Sequence, residues 1–141
     1  MLCLHPFSQP LADAVSDRMG LRTNGETKSP LRRNKYAMGE AVRAAGVRAV
    51  KQKLCVSVEE VKMFIASLDE PLCVLKPVQS AGSDDVFLCN DEDEAITAFN
   101  RIYKTVNGLG QLNEDVLVQE YLSGTVRSRV PLYLASQIPI A

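Results

Sequence analysis

One lysine, Lys76, interrupts the apolar stretch LCVLKPV at residues 72–78 and is followed at once by the small, hydroxyl-rich segment QSAGSD. A lysine inside a buried strand is costly unless an anion meets it, because its charge loses hydration. The small residues after it can bring backbone N–H groups close to such an anion; they are Ser80, Ala81, Gly82 and Ser83. The pattern indicates a phosphate site, and an edge-strand lysine before an ordinary turn is the alternative that these residues leave open.

The charge balance argues against nucleic acid as a partner. The 141 residues carry 16 lysines and arginines against 17 aspartates and glutamates, a formal net charge of −1. The two signs are mixed along the chain, so no extended basic face of the kind that binds nucleic acid is expected. A chain of this length is expected to form one domain, or slightly less, with a real core.

The cysteines offer no zinc-ligand spacing. Cys3, Cys55, Cys73 and Cys89 are scattered singly, and no CxxC pair accompanies the one histidine. The last three cysteines lie in strand-like runs, so we predict buried, reduced thiols, which fits a cytoplasmic protein. The N-terminus lacks a signal-peptide pattern and no stretch approaches the length that crosses a bilayer, so we expect a soluble protein without membrane contact.

Apolar periodicity predicts helices that alternate with strands. From their spacing and caps we predict helices at residues 11–19, 29–45, 57–68 and 90–106. The first two are separated by a polar, exposed linker at residues 21–28, and end at Gly20 and Gly46. Strands are predicted at residues 47–56, 72–78, 86–89 and 116–122. This alternation indicates helices packed on one face of a sheet, and it leaves the strand directions open.

A second lysine occupies an inner position of the helix predicted at residues 29–45. One face of that helix follows a three-four spacing and consists of Leu31, Lys35, Met38, Val42 and Ala45. Lys35 therefore stands where the pattern ordinarily places an apolar residue. Its ammonium group must snorkel to solvent or meet an anion, and the spacing alone leaves both outcomes open.

Four consecutive acidic residues, at positions 91–94, raise the question of a metal site. Negative charge is favoured in the first turn of a helix by the macrodipole. Asn90 is a suitable N-cap, and the apolar spacing that follows predicts a helix there. We therefore predict a solvated helix start at these residues and assign no metal ligand to them.

The order of these motifs resembles the nucleotide-binding core of ATP-grasp enzymes. KPVQSAGSDDVFLC, an amphipathic helix and VLVQEYLSGT follow one another, and the likeness extends over residues 11–125. It is strongest to ligases that join a carboxylate to an amine, including ligases of amino acids. The resemblance implies an α/β fold of the α+β lid type, in which helices precede an ATP-grasp nucleotide-binding subdomain.

The resemblance also implies how ATP would be bound and used. Lys35 and Lys76 would neutralise the phosphates, and the loop at residues 79–84 would fold over them. In such enzymes ATP phosphorylates a carboxylate, and an amine attacks the acylphosphate to form an amide or peptide bond. Positioning and charge neutralisation drive the phosphoryl step.

The segment VQEYL matches the strand that contacts adenine in this family. Gln119 and Glu120 would lie near the exocyclic amine of the base. The backbone of Tyr121 and Leu122 would reach the ring nitrogens. Because Tyr121 is equally suited to be a plain packing aromatic, the prediction concerns its backbone and not its ring.

The chain departs from the family pattern after this strand. Val126 stands where an acidic residue ordinarily holds the ribose, and no acidic residue follows Glu120. The catalytic half, with its magnesium ligands, is therefore expected to be missing, and no catalytic residue is assigned. We predict a remnant of an amino-terminal domain with a linker at residues 1–28, a partial ATP-grasp domain at 29–125 with its lid at about 47–122, and a divergent tail at 126–141.

Two classes of function stay open at this point. The chain is the ATP-binding portion of such a ligase, unable to turn over alone, or it is a non-catalytic interaction or regulatory fragment or a defective gene product. The interaction hypothesis would make a second copy of the chain or a full-length paralogue its partner, because surfaces normally covered by the catalytic half would be exposed.

Overall fold

Helices alternate with short strands along the chain. A computed structural model describes residues 8–23, 25–80 and 84–124. Its helices are α1 (Gln9–Arg18), α2 (Pro30–Arg33), α3 (Lys35–Ala44), α4 (Val58–Ala66) and α5 (Glu92–Ile102), with a 3-10 turn at Glu26–Lys28. Its strands are β1 (Gln52–Cys55), β2 (Cys73–Lys76), β3 (Phe87–Cys89) and β4 (Val116–Glu120). None of these helices is long and apolar enough to span a bilayer.

The strands form one antiparallel sheet in the order β1-β4-β2-β3, so β4 is paired on both sides. Gln119 lies between Gln52 of β1 and Val74 of β2, and Lys76 lies opposite Leu117. Because side chains alternate between the two faces of a sheet, Lys76, Gln119 and Gln52 share one face. The predicted α+β fold is confirmed, and the strand directions, which the sequence left open, are antiparallel.

The hydrophobic core lies on the opposite face of the sheet, beneath α4 and α5. The apolar side chains that these helices bury are Val61, Phe64, Ile65, Ala95, Ala98, Phe99 and Ile102. Leu75 of β2 and Val118 of β4 meet them from the sheet, both with no exposed surface. Full burial of one such side chain stabilises the fold by roughly 1.5–3 kcal/mol. This face therefore supplies stability and leaves the other face free for polar side chains.

Three cysteines complete this core. Cys55, Cys73 and Cys89 are free thiols and are buried, as predicted. Burial penalises the thiolate and raises the pKa of Cys73 to about 12 and those of Cys55 and Cys89 to about 11. These thiols are therefore protonated at neutral pH and pack as small apolar groups.

A polar cluster joins α1 to the start of α2. The carboxylate of Asp13 accepts hydrogen bonds from the Ser29 hydroxyl and the Arg32 guanidinium group, and Arg32 also reaches the carbonyl oxygen of Gly25 at 3.3 Å. The bond from Ser29 and then that from Arg32 hold the pKa of Asp13 below its usual value. Hydrogen bonds therefore cross the domain boundary predicted between residues 28 and 29, and they connect the linker segment to its neighbours.

The single helix predicted at residues 29–45 is wrong. Asn34 breaks it into α2 and α3, because its side chain caps α3 by accepting a hydrogen bond of 2.9 Å from the backbone N–H of Ala37. The predicted inner stripe is also wrong, since Met38 and Val42 are 43% and 39% exposed. Lys35 consequently begins α3 instead of lying in the middle of a buried helix face.

Several predicted helices and strands extend further than the observed ones. The strand predicted at 47–56 is confined to β1, and the one predicted at 116–122 ends at Glu120. The N-cap of α5 is Asp91 and not Asn90, because the Asp91 carboxylate accepts the backbone N–H of Glu94 at 2.8 Å. Val106 lies beyond the end of α5 and is 66% exposed. The predicted capping box at the start of α4 is confirmed, with Ser57 accepting from the backbone N–H of Glu60.

We predict that Asp91→Ala lowers the free energy of unfolding by about 1 kcal/mol, because it leaves an N–H group at the start of α5 without its side-chain acceptor. Urea denaturation followed by circular dichroism measures this loss. Asp93→Ala is the matched control, since it removes a carboxylate from the same turn and keeps the cap. Equal losses in the two variants would contradict the capping role.

Candidate functional site

A groove lies between α3 and the sheet face opposite the core. It encloses about 300 Å³, and its lining combines apolar and polar side chains: Lys35, Met38, Gly39, Val42, Ala49, Val50, Lys76 and Gln119. The strand alternation that sends Leu75 and Val118 into the core sends their neighbours Lys76 and Gln119 into this groove. Three of the residues that the sequence assigns to one site are therefore brought together.

Lys35 is tethered to the end of β2 and the loop that follows. Its ammonium nitrogen Nζ donates to the carbonyl oxygen of Ser80 at 3.0 Å, to the Ser80 hydroxyl at 3.2 Å and to the carbonyl oxygen of Pro77 at 3.4 Å. Its backbone N–H donates to the carbonyl oxygen of Val78 at 3.3 Å. These acceptors are all uncharged, so they orient the ammonium group without neutralising it.

The two lysines of the groove lack a carboxylate partner. In residues 8–23, 25–80 and 84–124, no ion pair involves Lys35 or Lys76. Burial lowers the pKa of both ammonium groups, and repulsion from Lys76 lowers that of Lys35 further. Two like charges thus lie close together, half-buried, beside an open groove. Such a pair is suited to an anion with several charges.

Gln119 is held from the neighbouring strand. Its Nε2 donates to Oε1 of Gln52 across the β1–β4 pair at 2.8 Å. Gln52 in turn donates from Nε2 to the carbonyl oxygen of Tyr36 at 2.8 Å and to the Glu40 carboxylate at 2.9 Å. A chain of hydrogen bonds therefore runs from α3 through β1 to the groove.

The other residues assigned to the adenine edge line a separate cavity of about 260 Å³, which shares none of its lining residues with the groove. Glu120, Tyr121 and Leu122 lie there. The Glu120 carboxylate accepts the backbone N–H of Lys51 at 2.7 Å, and the backbone N–H of Tyr121 donates to Leu72 at 3.1 Å. Within the part of the chain that the structure describes, Leu122 keeps a backbone N–H without a protein acceptor.

A turn downstream of α5 holds both flanks of the loop after Lys76. The buried side chain of Asn107 donates to the carbonyl oxygen of Gln79 at 2.9 Å, and the backbone N–H of Gly108 donates to the Asp84 carboxylate at 2.8 Å. Ser80 is buried beside them. Ala81, Gly82 and Ser83 lie outside the described residues, so their assignment to phosphate stays a prediction.

Two residues of this architecture carry weak or no signals in the sequence. Asn107 begins an Asn-Gly dipeptide, which is a turn signal, but nothing local connects that turn to Gln79. Gln52 lies in a partly alternating strand, and its partner Gln119 is 67 positions away. Only the register of β1 against β4 brings these two amides together.

The acidic residues near α5 stabilise the helix start. Asp91 caps the helix, Glu94 accepts the backbone N–H of Asn90 at 2.8 Å, and Glu92 pairs with Lys62 at 2.8 Å. Among the residues that the structure describes, no group of three histidine, cysteine or carboxylate side chains is placed to hold a metal ion.

Comparison with known proteins extends this picture. Residues 33–136 match the family described as phosphoribosylglycinamide synthetase, ATP-grasp (A) domain. The chain is 39% identical over 115 residues to dapdiamide A synthase of Enterobacter agglomerans. This alignment covers 81% of the present chain and 27% of the synthase. It is 34% identical over 96 residues to an alanine–anticapsin ligase of Bacillus subtilis (strain 168). This alignment covers 68% of the present chain and 20% of that ligase. The chain thus spans about a quarter of the length of these curated relatives.

Solved structures share the fold at low sequence identity. An L-amino acid ligase from Bacillus licheniformis aligns with a TM-score of 0.61 and 15% identity over 87% of this chain and 26% of that chain. A D-alanine-D-alanine ligase from Coxiella burnetii aligns with a TM-score of 0.66 and 13% identity over 83% of this chain and 34% of that chain. At these identities the likeness concerns the fold.

We predict that Lys76→Met raises the free energy of unfolding by about 1 kcal/mol, because it replaces a half-buried cation that lies beside a like charge with an apolar group. Urea denaturation measures the gain. Lys53→Met on β1, which belongs to the same sheet but is separated from β2 by β4, serves as the matched control and should change stability by less than about 0.5 kcal/mol. A Lys76→Met chain that is less stable than the original would show that the ammonium group has favourable partners.

Proposed function

Because this chain belongs to the ATP-grasp family of the phosphoribosylglycinamide synthetase (A) domain, we propose that it forms the ATP-binding portion of a carboxylate–amine ligase. The observation that carries the proposal is the pair of half-buried lysines, Lys35 and Lys76, which line one groove without a carboxylate partner among the described residues. A triphosphate would supply the missing negative charge. The tether from Lys35 to Ser80 would keep one ammonium group aimed at it.

The apolar part of the groove suits a purine ring. Met38, Val42 and Val50 provide the apolar lining, and Gln119 provides a polar atom at its side. Ligand sites of this kind combine mostly apolar walls with a few placed polar groups. We assign the base to this groove, and we keep the backbone of Tyr121 and Leu122, which follow Gln119 in the chain, as the proposed edge along which its nitrogens would be met; the Glu120 side chain lines a separate cavity.

ATP, when bound, would supply the phosphoryl group that activates a carboxylate for attack by an amine. This chain's own contribution is to bind the nucleotide, orient it and offset its charge, which are the main protein contributions to phosphoryl transfer. The similarity to dapdiamide A synthase and to alanine–anticapsin ligase makes amino acids the substrates that we propose for the whole enzyme.

The division of the chain follows from this assignment. We propose that residues 29–125 form a partial ATP-grasp domain and that residues 47–122 form its lid. The lid range encloses the four strands, α4 and α5 that the structure describes. Lys35 lies before it and Lys76 within it, so the proposed phosphate site would be completed by two segments. An enzyme of this kind would act in the cytoplasm, where ATP is available.

We predict that the chain binds magnesium-ATP saturably and that Lys76→Met weakens the affinity roughly 10- to 100-fold, the effect of losing one charged contact worth about 1.5–3 kcal/mol. Isothermal titration calorimetry on the full chain measures both constants. Lys53→Met should bind as the original chain does. Absence of binding by the original chain, with its fold verified by circular dichroism, would refute the proposed function.

Nucleotide affinity should also fall as pH rises towards 10.5, the ordinary pKa of a lysine. Burial lowers the pKa of Lys35 and Lys76, so these groups lose their protons at lower pH than ordinary lysines do. The phosphates bind the protonated forms, and affinity is therefore retained below the lowered pKa values and lost above them. Calorimetric titrations at increasing pH measure the decline, and an affinity that stays constant up to pH 10.5 would contradict this assignment.

A further inference from the structure

We propose that Gln52 and Glu40 determine which purine base the groove accepts, by fixing the orientation of the Gln119 side-chain amide. The inference rests on the proposed function, since it concerns the base of the nucleotide bound there. Neither residue needs to touch the nucleotide. They would act as specificity-determining residues through the hydrogen bonds that lead to Gln119.

The amide of Gln52 can adopt one orientation only. Its Nε2 faces two acceptors, the carbonyl oxygen of Tyr36 at 2.8 Å and the carboxylate of Glu40 at 2.9 Å. Turning the amide over would place its oxygen against both of these oxygens and lose both bonds. The hydrogen bond from Gln52 also lowers the pKa of Glu40, which keeps that carboxylate ionised and acceptor-only.

The orientation of Gln52 is passed on to Gln119. With its Nε2 directed at α3, Gln52 presents Oε1 to the neighbouring strand, where it accepts from Nε2 of Gln119 at 2.8 Å. The Gln119 amide is thereby oriented as well, and its own Oε1 is left as an acceptor. In the described part of the chain this oxygen has no hydrogen-bond donor, and its residue lines the groove with both lysines.

An outward-facing acceptor distinguishes between purines. Adenine carries an amino group, a hydrogen-bond donor, at its six-position, whereas hypoxanthine and guanine carry a carbonyl oxygen there. A fixed Oε1 pairs with the first and repels the second, and sites built around a specific hydrogen bond discriminate strongly against analogues that cannot form it. The geometry therefore favours ATP over ITP and GTP. A freely turning amide would offer its NH₂ group to the carbonyl and remove most of that preference.

The approach of α3 to Gln52 depends on a glycine. A Cβ atom placed on Gly39 would lie 2.5 Å from Nε2 of Gln52, inside contact distance. Gly39 thus lets the helix come close enough for Tyr36 and Glu40 to engage the same amide. The close packing shows that the hydrogen-bonded arrangement is part of the fold on this side of the groove.

The test compares ATP and ITP affinities by calorimetry on the full chain and on Gln52→Met, which has similar length and no amide. The original chain should prefer ATP at least about tenfold, and the variant should lose most of that ratio while binding ITP as well as before or better. Gln111→Met, the same change at an exposed position outside the groove, should keep the ratio. Glu40→Leu provides a second variant, because it removes one of the two acceptors of the Gln52 amide. It should lower the ATP/ITP affinity ratio less than Gln52→Met does.

The outcomes separate the inference from the function on which it rests. A folded Gln52→Met chain with an unchanged ATP/ITP ratio would overturn the inference, as would an original chain that binds both nucleotides equally well; either leaves the proposed ATP site intact. An original chain that binds neither nucleotide would overturn both. Should Gln52→Met fail to fold, an unchanged ratio in Glu40→Leu would overturn the inference and a lowered one would support it.

Discussion

Two ammonium groups that repel each other, those of Lys35 and Lys76, are the constraint around which this fold is arranged. Neither charge is neutralised within the described residues, so the arrangement is unfavourable by itself and must be stabilised from elsewhere. The opposite face of the sheet provides that stabilisation, because α4 and α5 bury an apolar cluster there. Successive side chains of β2 alternate between the two faces of the sheet. Leu75 therefore packs in the core, and the next residue, Lys76, places its charge in the groove.

The core lies on one face of the sheet and the proposed nucleotide site on the other, so half-buried charges can be placed in the groove without disturbing the core. Functional sites are where locally unfavourable choices persist, since the rest of the structure offsets their cost. Here the unfavourable choices are a lysine at the end of a central strand and another at the start of a helix that buries none of its residues. Both would become favourable with the proposed nucleotide phosphates in the groove.

Local patterns in the sequence predicted the core side of the molecule well. The apolar spacing of α4 and α5, the capping box at Ser57 and the buried thiols depend on neighbours a few positions away, which periodicity detects. Periodicity failed at Asn34, where a side-chain cap overrides a continuous helical pattern. It also could not supply the strand order, the Asn107 contact or the pairing of Gln52 with Gln119, because these depend on residues far apart in the chain.

The double pairing of β4 has a consequence for how such a chain can vary. A strand bonded on both edges keeps its alternation only while its register against both neighbours is kept. One residue inserted ahead of Val118, with the preceding register kept, would turn the Gln119 amide towards the core and bring the valine into the groove, even though no side chain had been changed. The strand should therefore accept only apolar residues of similar size at its buried positions and reject changes of length, and variation in length should collect in the connections on either side of it.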